Sequence, residues 1–482
     1  MRKVGLYTLG CKVSLYETEA VAESFADAGF EVCDFNDVCD VYVINTCTVT
    51  AESDAKSRKY IRRAIRKNPD AIVIVIGCYS QRAPEEVAAI NGVSAVIGTA
   101  DKMKCVEIAR SMLNLEFGIR NSKLEAIPKH SAQDNEDISN NTNNFDPGQN
   151  IAQNDKTISN SEFKIPNLVT SLDGAAFEPM CVKNAPRTRA YVKIEDGCEC
   201  KCTYCAISGA RGPVRSKKVD DVVSEVEGLY KTGTLEIVLT GIETGSYGAD
   251  FEEKFDLADL ICLLDRRKSC ERIRLGSMAP ELLSAKFIEK IAGLKIMVPH
   301  FHISMQSGSS SVLRGMKRRY NREMALKNIQ RIRDLMPNVM LTADLMVGFP
   351  GESEEDFLDT MSFVSEAGLL DAHVFAYSKR EGTPAAEYDN QIPDGVKKER
   401  SSRLIARCAE VRDEILSRVV KCGEHLSVIF ETKKGNLYYG HSDSYIEVCA
   451  ESKRDIRGEL ILVHPIDHKN GIIYGEIKQN AN

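Results

Sequence analysis

The 482-residue chain has no tryptophan, and aromatic residues make up only 7% of it. It has no run of about 18 apolar residues, so no membrane-spanning helix is expected. Its opening, Met1-Arg2-Lys3-Val4-Gly5-Leu6-Tyr7, lacks the long apolar stretch and small-residue cleavage site of a secretory signal, and a cytoplasmic chain is expected. Surplus positive charge is missing too. Lys and Arg total 63 against 70 Asp and Glu, a formal net charge of -7, which excludes a uniformly basic nucleic-acid coat protein but not a local basic surface. The rest is ordinary for a globular chain, with 43% hydrophobic and 28% charged residues, and the length suffices for roughly three domains. Cysteine is the exception. Sixteen in a large cytosolic chain point to metal or redox chemistry rather than to a disulfide scaffold.

Near-continuous β-branched runs at 4–9, 41–44 and 72–76 suit parallel strands covered on both faces, and helical patterns at 14–27 and 52–67 lie between them. This β-α-β-α-β order predicts a doubly wound α/β domain over residues 1–118. The composition then changes. Eight of the 30 residues from Ser131 to Asn160 are Asn, and such a stretch buries too little apolar surface to offset its ordering entropy. Residues 119–184 are therefore expected to be a flexible insertion or linker. From 185 to 418, six apolar runs alternate with helical patterns, which predicts an open or partial parallel (β/α)6 barrel. Short runs between turn residues over 419–482 predict a small all-β barrel.

Two cysteine constellations carry the chemistry. Cys198, Cys202 and Cys205 form a Cys-x3-Cys-x2-Cys triplet just after the first barrel strand, at the end where barrel folds place active sites. A four-iron cluster held by three thiolates keeps one iron open to a substrate or cofactor. The alternative is a structural zinc knuckle with Cys200 as fourth ligand. Cys11, Cys47 and Cys78 each follow the end of one of the three amino-terminal strands, the edge where ligands gather in open α/β sheets. Three such positions suggest a second cluster; the alternative is three buried structural thiols. Cys33, Cys39 and Cys105 lack this placement and are expected to be packing residues.

The Cys198–Cys205 tract, Leu239-Thr240-Gly241-Ile242-Glu243, His302-Ile303-Ser304-Met305-Gln306 and Val347-Gly348-Phe349-Pro350-Gly351-Glu352 resemble the radical S-adenosylmethionine (SAM) superfamily. Leu9-Gly10-Cys11-Lys12-Val13, Asn45-Thr46-Cys47-Thr48-Val49-Thr50 and Gly77-Cys78-Tyr79-Ser80-Gln81 resemble the amino-terminal domain of the methylthiotransferases, which pair it with a radical SAM barrel and a terminal TRAM domain. The resemblance covers nearly everything except the Asn-rich insertion. It implies two 4Fe–4S clusters, one on Cys198, Cys202 and Cys205 and an auxiliary one on Cys11, Cys47 and Cys78, with SAM in a pocket bordered by Tyr204, Gly241, Glu243 and Gln306. Two residues depart from the family pattern. Ser14 stands where Asn is common, and Ser208 where Pro commonly follows the last cluster cysteine.

Within the family, the first two amino-terminal motifs, together with His300-Phe301-His302 and His373-Val374-Phe375-Ala376-Tyr377-Ser378, look most like the MtaB type, which places methylthio on carbon 2 of N6-threonylcarbamoyladenosine at position 37 of tRNA. That reading implies a tRNA anticodon stem-loop as partner, an external electron donor and a sulfur source. The rivals are the same chemistry on isopentenyl-adenosine or on a ribosomal-protein aspartate, and a non-catalytic RNA-binding iron–sulfur sensor. Basic tracts at Lys56–Lys67, Arg211–Lys218 and Arg314–Arg319 are candidate phosphate contacts. From Val420 to Asn482, eight Lys and Arg face nine Asp and Glu, so a uniformly basic RNA surface is not expected on the terminal barrel. Arg380, with Glu243 and Gln306, is a candidate substrate-pocket residue.

Overall fold

The computed structural model describes residues 1–116, 166–185 and 188–478. Six parallel strands, β1 (Lys3–Thr8), β2 (Glu31–Cys33), β3 (Val41–Thr46), β4 (Ile72–Gly77), β5 (Ala95–Ile97) and β6 (Asn167–Leu168), form a sheet in the order β2-β1-β3-β4-β5-β6. Strand alternation explains the unbroken apolar runs. Val41, Val43, Ile72, Ile74 and Ile76 pack into a core on one face, and Tyr42, Ile44, Val73 and Val75 into a second core on the other.

The segment expected to be a linker, residues 119–184, is ordered where it is described, from residue 166 on. Residues 119–165 lie outside the described residues. The stretch that follows adds β6 to the sheet edge and then runs across the domain junction, with Leu172, Met180 and Val182 buried. It is held by backbone groups with real partners. The Tyr16 hydroxyl donates to the Met180 carbonyl at 2.8 Å, and the Val182 amide donates to Glu225 at 2.7 Å. Composition near the Asn-rich stretch concealed these few apolar anchors.

Two short antiparallel strands, β8 (Glu195–Asp196) and β9 (Arg215–Ser216), bracket the first barrel loop, which follows β7 (Arg189–Lys193). The barrel continues with β10 (Glu236–Thr240), β11 (Arg272–Leu275), β12 (His300–Gln306), β13 (Met340–Val347) and β14 (Asp371–Ala376). These six long strands make two parallel triplets, β11-β10-β7 and β12-β13-β14, linked only by the isolated bridges Ile273–Met297 and Met278–Ile303, so the barrel is partial, as expected. Between β11 and β12, Ser284 caps the start of a helix that spans Ala285–Ile291. The helix Asp394–Cys422 crosses the boundary expected at 418 and ends at Gly423, whose φ of 71° lets the chain turn away. Strands β15 (Leu426–Lys434), β16 (Leu437–Ser442), β17 (Glu447–Glu451), β18 (Leu460–Lys469) and β19 (Ile472–Ile477) then close a five-stranded barrel. A single apolar core runs from the six-stranded barrel into this terminal barrel, joining Leu341 and Leu416 to Val428, Val448 and Val463. No described helix is long and apolar enough to cross a membrane.

Charge fixes the sheet domain to the barrel. Glu17, fully buried on the helix Lys12–Asp27, meets Arg211 at 2.5 Å, Lys193 at 2.8 Å and Lys102 at 3.1 Å. Asp196 completes the network, 2.6 Å from Lys193 and 3.2 Å from Arg211. Burial alone would raise the Asp196 carboxyl, but Arg211 and Lys193 override it and hold it at about 2. Glu236 is likewise held at about 2, against its burial, by Arg274 and Arg189.

Removing one member of a buried network leaves the others uncompensated. Glu17→Gln is expected to destabilise the chain by about 3–5 kcal/mol, read from denaturant unfolding; an unchanged midpoint contradicts this role. Because the folded Asp196 and Glu236 carboxyls lie below their unfolded values, their contribution is complete above about pH 5 and is lost as pH falls towards about 2. Unfolding measured across that window is expected to show stability falling on acidification, less steeply in Glu236→Gln.

Candidate functional site

Cys11, Cys47 and Cys78 stand just beyond the carboxyl ends of β1, β3 and β4, which are adjacent in the sheet. The pairing Thr46↔Gly77 sets the next residues, Cys47 and Cys78, side by side. Gly10 and Gly77 adopt φ of 115° and 102°, which other residues rarely reach. A Cβ on Gly10 would stand 3.2 Å from the Cys47 Cβ, so the loop carrying Cys11 passes directly over Cys47. Cys47 and Cys78 are buried and Cys11 is exposed. The Ser14 hydroxyl lies 3.9 Å from the Cys11 sulfur, so the serine departure borders the trio itself. Burial pushes the Cys78 thiol up to about 11, and the opposing influence comes from Arg211, whose Nε donates to the Cys78 sulfur at 3.2 Å. The arginine that anchors the domain junction thus also favours a thiolate in the trio.

Cys198, Cys202 and Cys205 occupy the loop between β8 and the short helix Ile207–Arg211. Gly197, with φ of 95°, leads in, and the Cys198 amide donates to the Gly212 carbonyl at 3.0 Å. The Cys200 and Ile207 amides each lie 3.4 Å from the sulfurs of Cys198 and Cys205, and Arg318 Nη1 donates to the Cys202 sulfur at 3.2 Å. Each sulfur of this trio therefore has an N–H donor.

Donor spacing discriminates between a single ion and a cluster. Zinc binds thiolates at about 2.3 Å and so draws them close together. Among the described residues, only His302, Asp344 and His373 bring three ligand atoms within 4.8 Å of one another. Both cysteine trios are wider than that, which disfavours the zinc knuckle and fits a multi-iron cluster. Beside the second trio, Glu195 Oε1, Glu243 Oε1 and Thr244 Oγ1 are buried without a partner, a set of polar groups suited to a polar ligand. Burial, and then the nearby Cys200, push the Glu243 carboxyl up to about 7.

The residues expected around SAM are distributed as follows. Gly241 lies so close to Glu195 that a Cβ would meet its Oε2 at 2.5 Å, and the Glu243 amide donates to the same oxygen at 2.9 Å. Gln306 is buried at the end of β12 with φ of 68°. Tyr204 packs against the apolar group of Met316, Phe349 and Tyr377, which makes packing part of its role.

Arg380, expected as a substrate-pocket residue, is buried and engaged by the sheet domain. Its Nη2 donates to Asp54 at 2.6 Å and to Thr48 at 2.7 Å, which clamps the barrel onto the loop carrying Cys47. The basic tracts also divide. Arg211, Arg215 and Lys217 are buried in ion pairs and are withdrawn from any RNA surface, whereas Lys59, Arg62, Arg66 and Lys67 and also Arg314, Lys317 and Arg319 remain exposed.

A cavity of about 490 Å³ connects the three modules. Gly10, Cys11 and Lys12 border it from the sheet domain, Thr240, Gly241 and Asp344 from the barrel, and His441 and Tyr445 from the terminal barrel. Sequence reading did not assign Arg274, His300 or Asp344 to a cavity. A signal was present: on β11 and β12, Arg272 and Arg274, and His300 and His302, are polar residues two apart in otherwise apolar strands, hence on one face.

Comparison with known proteins places this arrangement. Residues 192–364 match the radical SAM superfamily, and residues 3–98 match an uncharacterized protein family, UPF0004. The chain is 38% identical to the threonylcarbamoyladenosine tRNA methylthiotransferase MtaB of Bacillus subtilis, over 99% of this chain and 96% of that protein. It is 32% identical to MtaB of Aquifex aeolicus, over 96% and 99%. It is also 32% identical to the tRNA-2-methylthio-N(6)-dimethylallyladenosine synthase of Alkaliphilus oremlandii, over 99% and 93%. Among solved structures, the radical SAM methyltransferase TsrM of Kitasatospora setae aligns with a TM-score of 0.53 at 16% identity, over 80% of this chain and 74% of that one, a likeness of fold. With full-length relatives at this level of identity and both cysteine-bearing domains matched, the chain belongs to the radical SAM methylthiotransferase family.

Proposed function

We propose that the protein adds a methylthio group to carbon 2 of N6-threonylcarbamoyladenosine at position 37 of tRNA, in the cytoplasm, using SAM, an external electron donor and a sulfur source. The observation that carries this reading is the near end-to-end likeness to MtaB proteins, joined to one cavity bordered by both Cys11 and the barrel. In this reading Cys198, Cys202 and Cys205 hold one 4Fe–4S cluster and Cys11, Cys47 and Cys78 the other. Gly241, Glu243 and Gln306 shape the SAM pocket, and Tyr204 supports its wall. Held on Cys198, Cys202 and Cys205, the first cluster with SAM would supply hydrogen-atom abstraction from an unactivated C–H bond, and the cluster held on Cys11, Cys47 and Cys78 would supply sulfur.

The residues of the chain position and tune. Arg211 and Arg318 each donate to one sulfur of a trio and favour the more negative, reduced state of what it holds. The Glu17 network and the Arg380 clamp hold the two trios at a set separation, so the base meets both without domain movement. The exposed Lys59, Arg62, Arg66 and Lys67 are suited to the phosphates of an anticodon stem-loop.

Cys11→Ala or Cys78→Ala is expected to lower iron from about eight to about four per chain, to retain reductive SAM cleavage and to abolish thiomethylation, measured after anaerobic reconstitution by iron counting and nucleoside mass spectrometry. Normal product from either variant contradicts the auxiliary-cluster assignment. Product on isopentenyl-adenosine tRNA but not on threonylcarbamoyladenosine tRNA overturns the substrate reading. Arg318→Leu is expected to shift the reduction potential of the first cluster to a more negative value and to slow SAM cleavage, read by a spectroscopic titration; an unmoved potential shows that the Arg318–Cys202 contact does not tune it.

A further inference from the structure

The cavity that links the modules is lined by cationic donors whose hydrogen-bonding capacity is not filled, together with the carboxylates of Asp344, Asp371 and Glu447. Lys12 borders it, near Arg274 and Arg189 and with Asp344 as the neighbouring opposite charge, and no hydrogen bond or ion pair to its ammonium is present among the described residues. Arg274 is nearly fully buried, at 3% side-chain exposure. Its Nε and one Nη are taken by Glu236 at 2.9 and 3.0 Å, while Nη1 is buried without a partner. Glu236 offers little spare charge, because Arg189 also binds it at 3.0 Å. His300, on the next strand, completes the group. Its Nε2 lies 3.0 Å from the Thr342 hydroxyl, and its Nδ1 is buried and unpartnered.

The other acids of the cavity form no ion pair with Lys12 or Arg274 among the described residues. Asp344 is occupied by His302 at 3.1 Å and His373 at 3.4 Å, and Asp371 lies 3.5 Å from Arg412. Glu447 borders the cavity from the terminal barrel. Unpartnered buried polar atoms are rare because each costs about 1–3 kcal/mol, so Arg274 Nη1 and His300 Nδ1, the latter donating when the ring carries its proton there and Nε2 accepts from Thr342, describe with the Lys12 ammonium a site for an anionic acceptor.

We infer that Lys12, Arg274 and His300 form a carboxylate-binding subsite inside the barrel, which takes the carboxylate of the threonyl side chain on N6 of the substrate adenosine. The inference rests on the substrate reading above and deepens it. Lys12 directly follows Cys11, so the group that would bind the side chain is tied in sequence to the trio assigned to the sulfur-bearing cluster. A base whose N6 substituent enters the barrel towards Arg274 keeps its ring at the end where Gly10, Cys11 and Gly241 stand. An apolar N6 substituent in the same place leaves Lys12 and Arg274 Nη1 desolvated and unpaired. The subsite thus selects by charge, and it penalises an uncharged side chain more than shape alone does.

The test uses reconstituted holoenzyme and three tRNA substrates: one bearing threonylcarbamoyladenosine, the same tRNA with the threonyl carboxylate converted to its methyl ester, and one bearing isopentenyl-adenosine. Wild type is expected to lose at least about tenfold in kcat/KM on esterification. Lys12→Met is expected to lose about tenfold on the acid, mainly through KM, and to shrink the acid-to-ester ratio to about threefold or less, with Lys12→Arg restoring most of it. Equal rates of wild type on acid and ester overturn the subsite while leaving the substrate reading intact, as does a Lys12→Met variant that keeps the full ratio. Turnover of the isopentenyl tRNA alone overturns both. If Lys12→Met binds less iron than wild type, the acid-to-ester comparison on wild type decides by itself.

Discussion

One buried carboxylate organises the molecule. Glu17 lies on the first helix of the sheet domain, yet two of its three cationic partners, Lys193 and Arg211, belong to the barrel. Such a cluster is costly to assemble in a dry interior, and it is tolerated because each charge is met by several others. Its return is positional. Arg211, held by Glu17 and Asp196, is thereby aimed at the Cys78 sulfur, so the interaction that joins the domains also sets the electrostatics of a thiol trio. Arg318 does the corresponding work at Cys202. Each trio has one guanidinium on one sulfur, supplied by the barrel in both cases.

The cavity is likewise a product of all three modules. The Tyr445 ring stacks between His300 of the barrel and His441 of the terminal barrel, with centroid separations of 4.6 and 4.9 Å, and the Arg274 guanidinium lies 4.9 Å from its centroid. Tyr445 has φ of 70°, a conformation that costs energy outside glycine and persists because the stack fixes the ring. The terminal barrel is therefore part of the cavity wall as well as an appendage that can bear on RNA. Its near-balanced charge, evident from composition, agrees with a role played through shape and stacking.

The sequence was most legible where a single local rule decides the outcome. Strands β1, β3 and β4 are covered on both faces, so they read as unbroken apolar runs, and the cysteines just past them were found by position alone. The closed terminal barrel was legible for a different reason: its short runs stand between turn residues, and β18 alternates buried and exposed side chains. What could not be read depended on partners far apart in the chain. The tract around Arg211 has the composition of a phosphate-binding surface, and only the fold shows that Glu17, nearly two hundred residues earlier, takes its charge. Arg380 had the character of a pocket residue until Asp54 was found beside it. The strand β6 and the buried Met180 and Val182 were obscured by the polar stretch that precedes them. Lys12 lies within one of the amino-terminal motifs, but its place beside Arg274, Arg189 and Asp344 is a property of the sheet domain and the barrel together.

The unbroken helix Asp394–Cys422 spans the boundary between the two barrels, and a continuous apolar core together with the Arg189–Glu431 ion pair, at 2.5 Å, seals them. A terminal module fastened in this way has no hinge of its own. Swinging it aside would require melting helical turns and exposing packed aliphatic side chains. In an enzyme so built, the cost of delivering a base to the sulfur falls on the nucleic acid: the anticodon loop has to unstack and extend its nucleotide into a rigid receptacle, and loops that unstack easily are the ones such a receptacle accepts.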